Sequence, residues 1–250
     1  RRFGLFNWPC AGQIRAMMPK PPPLKLVMGV RDEQDGFLVT VNERAATTPR
    51  RNPVIVPTRA LARAIIDELT AAPGVLAGKG LNDPAAAPCF RIAAGAIDVV
   101  APDITTRAGV ERELTGYGAT DLVCLRAERP AELVARECAA WDPLCHWFAR
   151  RFGVSLALGT GVMALRQAPA VADALAAAAA ACDPFRLAAL SLATRSAGSV
   201  VIGLALCEGE IDAEAAFAAA VIEETFQEEK WGADREAAAA RAVKRLDLAQ

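Results

Sequence analysis

The residues able to do covalent or metal chemistry in this chain are few and poorly grouped. Its seven cysteines (Cys10, Cys89, Cys124, Cys138, Cys145, Cys182 and Cys207) are scattered without a CxxC pair, and His146 is the only histidine. An odd, dispersed set points to small buried thiols in a reducing compartment rather than to a disulfide framework. Cys145 and His146 are adjacent, but neighbours on a helix diverge by about 100° and cannot form a thiolate–imidazole pair with each other. A zinc site would have to draw its ligands from separate segments, and nothing in the spacing suggests one. Gly159-Thr160-Gly161 resembles part of a phosphate loop but lacks the further glycines and the Lys-Ser/Thr ending. GxSxG and HExxH are absent. No catalytic residue, metal or cofactor is therefore expected. A cysteine- or zinc-dependent enzyme using Cys124 or Cys145 stands as the competing reading.

Recognition without chemistry has better material. Phe217, Ala220, Val221, Glu224, Gln227, Glu228 and Trp231 recur at three- or four-residue intervals, which places them on one face of a helix. The upper part of that face is apolar. The lower part offers a carboxylate, an amide and an indole in a row. Such a face is either a core stripe running out into solvent or a partner surface with an aromatic anchor beside directional polar groups. Glu223 points to the neighbouring face, toward Phe226 and Lys230.

The elements that must carry these residues can be read from local signals. Two β-like runs, Leu24–Val30 and Phe37–Val41, flank Asp35-Gly36, a hairpin signal. A third short run is Val54–Val56. Thr58 caps a helix with Leu61, Ile65 and Leu69 on one stripe. Ala72–Pro88 reads as a loop, Ile104 to Tyr117 as a helix, and Leu122–Leu125 as a short strand that Val154–Leu158 could pair with. Asp142-Pro143 and Asp183-Pro184 each place a capping carboxylate before a proline at the first helical position, so each is expected to begin a helix. If instead the helix runs through Pro143, then Val134, Cys138, Trp141, Cys145 and Phe148 form its core stripe. Ala177–Ala181 reads as helix, and Asp212 and Asp234 cap the last two helices, with Gly232 ending the first of them. The fold class is α+β. A small amino-terminal β-rich subdomain with an extended Pro-rich arm (1–56) precedes a larger, mainly helical domain with a short strand pair (57–250).

Composition narrows the partner. Of 250 residues, 53% are hydrophobic and 23% charged, which suits a globular chain. A net charge of −1 argues against nucleic acid, whose binders carry a positive excess. The longest apolar run, Ala197–Leu206, is half the roughly 20 residues a spanning helix needs, so no membrane insertion is expected. Arg1 to Arg31 holds six basic residues and no acidic one. That stretch reads either as a matrix-targeting composition or as the start of the mature chain with a Pro-rich insertion.

One ordered set of residues is more specific than any of these signals. Tyr117, Thr120-Asp121-Leu122, Cys124, Arg126-Ala127, Pro130, Leu133, Trp141-Asp142-Pro143-Leu144 and Trp147 closely resemble the central signature of the F-type ATP synthase assembly chaperones that attend the alpha subunit. Asp183-Pro184-Phe185, Leu187, Gly198-Ser199, Glu223-Glu224, Phe226-Gln227 and Trp231-Gly232 continue it, so the resemblance spans roughly Thr48 to Ala240. The amino-terminal half departs from the pattern: Asn42-Glu43-Arg44 stands where the family carries Asp-Gly-Arg, and Glu68-Leu69 where it carries Glu-Trp.

The resemblance implies an assembly chaperone, not an enzyme. It would bind the free ATP synthase alpha subunit and shield its apolar interface until the beta subunit displaces it, without ATP. It implies a partner site at Glu223 and Glu224; helical phase adds Gln227 and Trp231 to that site and favours Glu224 over Glu223. A monomer is expected, in the cytoplasm if alphaproteobacterial and in the mitochondrial matrix if eukaryotic; composition leans to the bacterial cytoplasm.

Overall fold

The computed structural model describes residues 26–77, 86–161, 165–232 and 234–249. Cys10 and most of the Pro-rich arm lie outside these residues, as do parts of the predicted loop. The chain begins with a four-stranded antiparallel sheet. Its strands are β1 (Met28–Glu33), β2 (Gly36–Val41), β3 (Arg44–Ala45) and β4 (Ile55–Val56). β2 is central, paired with β1 on one side and with β3 and β4 on the other. The hairpin turn sits one residue earlier than the Asp-Gly signal indicates: Glu33 pairs with Gly36, leaving Gln34 and Asp35 as the turn. Gly36 instead opens β2 at φ +144°, where a Cβ would lie 2.5 Å from the Val56 carbonyl oxygen. Close approach of β4 therefore requires glycine at this position. The next turn, Asn42-Glu43, takes positive φ at both residues (49° and 65°).

Helices follow. α1 (Arg59–Ala71) is capped by Thr58, whose hydroxyl accepts the Leu61 N–H, and it buries Ala62, Ile65 and Leu69. α2 (Pro88–Gly95) has no side-chain cap of its own; the Glu68 carboxylate of α1 accepts the Cys89 and Phe90 N–H groups at 2.9 and 3.0 Å. A π-helical turn, Ala96–Val100, leads to α3 (Ile104–Tyr117), whose bounds match the sequence reading. The sheet, α1 and α2 share one apolar cluster around Val39, Val54, Ile65, Leu69 and Phe90, which runs on past residue 56. Buried Asp98 of the π turn fastens this cluster by accepting from Thr48 Oγ1 (2.6 Å), Asn52 Nδ2 (2.8 Å) and the Arg50 N–H (3.2 Å). Burial pushes the Asp98 carboxyl up, and these three donors more than reverse it, leaving it below its ordinary value.

The second cluster is helical and gathers Trp141, Phe148, Leu187, Leu190 and Ile202. Leu122–Cys124 forms a 3₁₀ turn, not a strand, and only β5 (Leu125–Arg126) is extended. Its partner is β6 (Gly159–Thr160), in parallel, rather than Val154–Leu158. The turn forms because Asp121 accepts the Val123 N–H and caps it. α4 (Ala131–Phe152) runs unbroken through Pro143, so Asp142 does not start a helix. Its carboxylate is instead held by the Arg126 guanidinium at 2.9 Å. The buried face of α4 is Glu137, Trp141, Leu144, Trp147 and Phe148, while Val134, Cys138 and Cys145 lie half-buried at its margin. α5 (Pro169–Ala180) contains most of the predicted alanine tract, and α6 (Pro184–Ala197) is capped by Asp183 as expected.

α7 (Val200–Cys207) is apolar on every side and is buried from Val200 to Ala205, which makes it the central helix. α8 (Ala213–Ala220), α9 (Ile222–Trp231) and α10 (Arg235–Leu248) close the fold, with Asp212 and Asp234 as caps and Gly232 as terminator. The architecture is α+β, a small amino-terminal sheet followed by a helical body. No helix among the described residues is long and apolar enough to cross a membrane.

Candidate functional site

The thiols come first, because the enzymatic reading rests on them. Burial pushes Cys89 and Cys124 up to about 12 and Cys207 to about 11, and it raises Cys145 and Cys182 as well. Such thiols are protonated at neutral pH and make poor nucleophiles. His146 is exposed on α4 while Cys145 turns inward. Among the described residues no group of three or more His, Cys, Asp or Glu could hold a metal ion. Gly159-Thr160 is strand β6, and the Gly161 N–H donates to the Arg126 carbonyl at 3.1 Å, so this segment's backbone serves β pairing rather than a phosphate cradle.

The carboxyl-terminal helix differs from the expected single stripe. The backbone leaves helical geometry at Val221 (φ −121°, ψ 20°), dividing α8 from α9. The cause lies across the interface. Trp141 Nε1 donates to the Ala219 carbonyl at 2.9 Å, an oxygen that an unbroken helix would offer to the N–H of residue 223. After the break, α9 buries Phe226. The Arg136 guanidinium lies 5.3 Å from the Phe226 ring centroid and Lys230 Nζ 5.0 Å. The inward face of α9 is thus the one holding Phe226, not a continuation of the Phe217–Val221 face through Glu224.

The four predicted site residues fall as follows. Glu224 is exposed and held by Lys244 of α10 at 2.9 Å. Gln227 is exposed on the outer side of α9. Trp231 ends the helix with 79% of its surface in solvent. Glu223 is half-buried and, among the described residues, its side chain has neither a hydrogen bond nor an ion pair. The other acids of α9 are engaged: Glu228 by Arg241, and Glu229 by Arg136 at 2.8 Å. Lys230 reaches Glu132 of α4 at 2.9 Å. Glu223, Gln227 and Trp231 are spaced by four residues and form one strip that runs from a half-buried carboxylate without a side-chain partner to a bare indole.

Beside this strip lies a cluster that the sequence reading missed. Glu137 of α4 is fully buried; its Oε2 accepts the Ala127 N–H at 2.8 Å and its Oε1 has no partner. Burial raises the Glu137 carboxyl above its ordinary value, and Glu223 raises it further. Arg126, also buried, donates to the Val123 carbonyl and pairs with Asp142, and its guanidinium lies 5.3 Å from the Trp141 ring centroid. One signal could have found Glu137, since it lies four residues before Trp141 on the face that α4 buries. On the other flank of α9 an open apolar groove of about 550 Å³ runs between α4 and α8, lined by Arg136, Ala140, Leu144, Phe217, Val221 and Ile222. The arrangement is suited to holding a protein surface: an apolar trough, an exposed indole and a free carboxylate.

Comparison with known proteins agrees with this architecture. A family model described as ATP12 chaperone protein matches residues 26–149. Among solved structures, an aspartate-to-lysine variant of Atp12p from Paracoccus denitrificans is 38% identical, with a TM-score of 0.79, covering 89% of this chain and 91% of that one. Atp12 of the same organism is also 38% identical, with a TM-score of 0.77 over 89% and 96% of the two chains. Atu1473 from Agrobacterium tumefaciens, described as a candidate chaperone, is 34% identical, with a TM-score of 0.76 over 88% and 80%. At this identity, and over nearly the whole length of both partners, the chain belongs to the ATP12 chaperone family.

Proposed function

We propose that this chaperone binds the free alpha subunit of ATP synthase, shields its apolar subunit interface, and is displaced when the beta subunit arrives. The observation that supports the reading is α9 itself, where the Glu223 side chain lacks a partner and Trp231 lies bare on one flank while an apolar groove opens on the other. A subunit made before its partner exposes apolar surface that aggregates readily. A competitor of higher affinity releases such a subunit by mass action, so neither ATP nor covalent chemistry enters. The site residues are Glu223, Glu224, Gln227 and Trp231. Among them Glu223 takes the first place because Lys244 already holds Glu224. The protein acts as a monomer in a cytoplasm of the alphaproteobacterial type.

Coexpression with isolated alpha subunit tests this. Soluble alpha is expected to rise with the wild-type chain and to fall back with Glu223→Lys, while Glu224→Lys has the smaller effect. Equal yields of soluble alpha with and without the chain would refute the proposal.

A further inference from the structure

A separate cavity, of about 340 Å³, opens where α2 and the π-helical turn meet α3, α6 and α10. Its size is at the lower end of the range for small-molecule sites. Ile92, Val100, Val110 and Leu192 give it apolar walls. Three polar groups from three helices line it as well, and each is short of a partner among the described residues. Arg91 of α2 is half-buried, and its guanidinium has neither a hydrogen bond nor an ion pair. Asp247 of α10 is half-buried too; it accepts from Ser196 Oγ at 2.9 Å and has no cationic partner. Ser191 of α6 is only 7% exposed, and its hydroxyl makes no hydrogen bond. The remaining charge on the wall, Arg195, is held by Glu113 through bonds of 2.8 and 2.9 Å. One cavity is thus lined by a cation and an anion that do not pair with each other.

Gly95 keeps the space open. It stands on the cavity wall, where α2 passes into the π turn, with ordinary right-handed helical backbone (φ −62°, ψ −43°). A Cβ there would meet nothing within 4 Å. Neither conformation nor packing asks for glycine at this position, where it weakens a helix. An occupant of the cavity would.

We propose that this cavity binds a free α-amino acid with an apolar side chain. The ligand's carboxylate accepts from the Arg91 guanidinium and the Ser191 hydroxyl, its ammonium donates to Asp247, and its side chain rests on the apolar wall. A zwitterion supplies both missing charges at once and brings no net charge into a partly buried site. A plain carboxylate would leave Asp247 unpaired beside a like charge, and a plain amine would do the same to Arg91. The small volume suits a single amino acid rather than a peptide. No residue of α9 lines the cavity, so the inference stands apart from the reading of α9 as the partner surface.

The test titrates the full-length chain with leucine and follows the backbone amides by NMR. Saturable shifts at Arg91, Ser191 and Asp247 are expected, together with a rise in thermal midpoint. Isocaproate lacks the ammonium and leucinamide lacks the carboxylate. Each is expected to bind about tenfold more weakly or worse, the size of one hydrogen bond between charged groups. Asp247→Asn is expected to bind leucine no better than isocaproate, and Arg91→Gln no better than leucinamide. Gly95→Leu fills the open space and is expected to keep the wild-type thermal midpoint while abolishing the shifts. Leucine shifts that are absent, or that map outside the cavity, overturn the site, as does a Gly95→Leu chain that binds leucine like the wild type. Equal binding of leucine and isocaproate by the wild type overturns the zwitterion and the role given to Asp247.

Discussion

Two buried carboxyl groups of the helical body are treated in opposite ways. Asp121, at the foot of central helix α7, is fully enclosed and fully satisfied. It accepts from Ser199 Oγ at 2.6 Å, from the Val123 N–H at 3.1 Å, and from the Val200 and Val201 N–H groups at 2.8 and 3.2 Å. Glu137, under α9, has one donor and an orphaned oxygen, and its neighbour Glu223 has none. The first arrangement answers every demand of the fold from within. The second leaves a demand open at the surface. Polar groups saturated by their own chain build structure; under the proposed function, those left short at α9 are where the alpha subunit would supply the remainder.

The sharpest way to break that comparison is to empty the first site. Asp121→Ala strands three backbone N–H groups and the Ser199 hydroxyl in the core, and it removes the helix-terminal charge. It is expected to destabilise the fold by on the order of 3–5 kcal/mol, read as a fall in urea midpoint. A loss near 1 kcal/mol would mean that water or relaxation replaces the carboxylate and that the contrast is overdrawn. The same residue gives a pH signature. Burial pushes Asp121 up to about 6, and its four donors oppose that rise. The native state therefore holds this proton more tightly than the unfolded chain does. Its contribution to stability is fully present below the ordinary aspartate value and is lost as pH climbs to about 6, by up to about 3 kcal/mol. Asp121→Asn should remove this fall, so the stability gap between wild type and variant narrows from pH 4 to pH 6.5. A gap that stays constant over that window would show that Asp121 is unshifted.

Glu223→Lys probes the second region from the opposite side. It removes a like charge from beside Glu137, so stability should stay within about 0.5 kcal/mol of wild type or rise slightly. Its effect is expected in capture of the alpha subunit, which should fall by more than tenfold in a binding titration. A variant that unfolds would move Glu223 into the structural class with Asp121 and erase the distinction. Trp231→Ala should weaken capture less, by about 1–2 kcal/mol, with no shift in thermal midpoint because the ring is bare in the free chain.

Much of this contrast was legible in the sequence and its key parts were not. Thr58, Asp183, Asp212 and Asp234 announce their helices because capping is local chemistry: each side chain accepts an N–H two or three residues onward. The Asp142-Pro143 pair carries the same signal and means the opposite, because Arg126, sixteen positions earlier, recruits the carboxylate and α4 continues. The break at Val221 has no Gly or Pro to mark it. It depends on the Trp141 indole reaching a carbonyl seventy-eight residues away. Glu137 is marked in the sequence only by its place four residues before Trp141, a signal with no force until the rotation of α4 is known. Local signals place the elements, and long-range hydrogen bonds decide which polar residues are used up inside them.

The smallest expected effect separates adjacent acids. Glu224 and Glu223 have equal claims as a sequence motif, but Glu224 spends its charge on Lys244 across a surface ion pair in which it is 47% exposed. Exposed pairs of this kind contribute about 0.2–1 kcal/mol, so Lys244→Ala should change stability by a few tenths at most, read by urea unfolding. Removing that lysine also frees Glu224 beside Glu223. If the partner site needs only the carboxylate at 223, Lys244→Ala leaves alpha capture within about twofold, and adding Lys244→Ala to a Glu223→Gln background recovers nothing. A marked gain in capture with Lys244→Ala would instead make Glu224 a held-back member of the site, and the line between satisfied and unsatisfied acids would then run through an ion pair rather than between two helices.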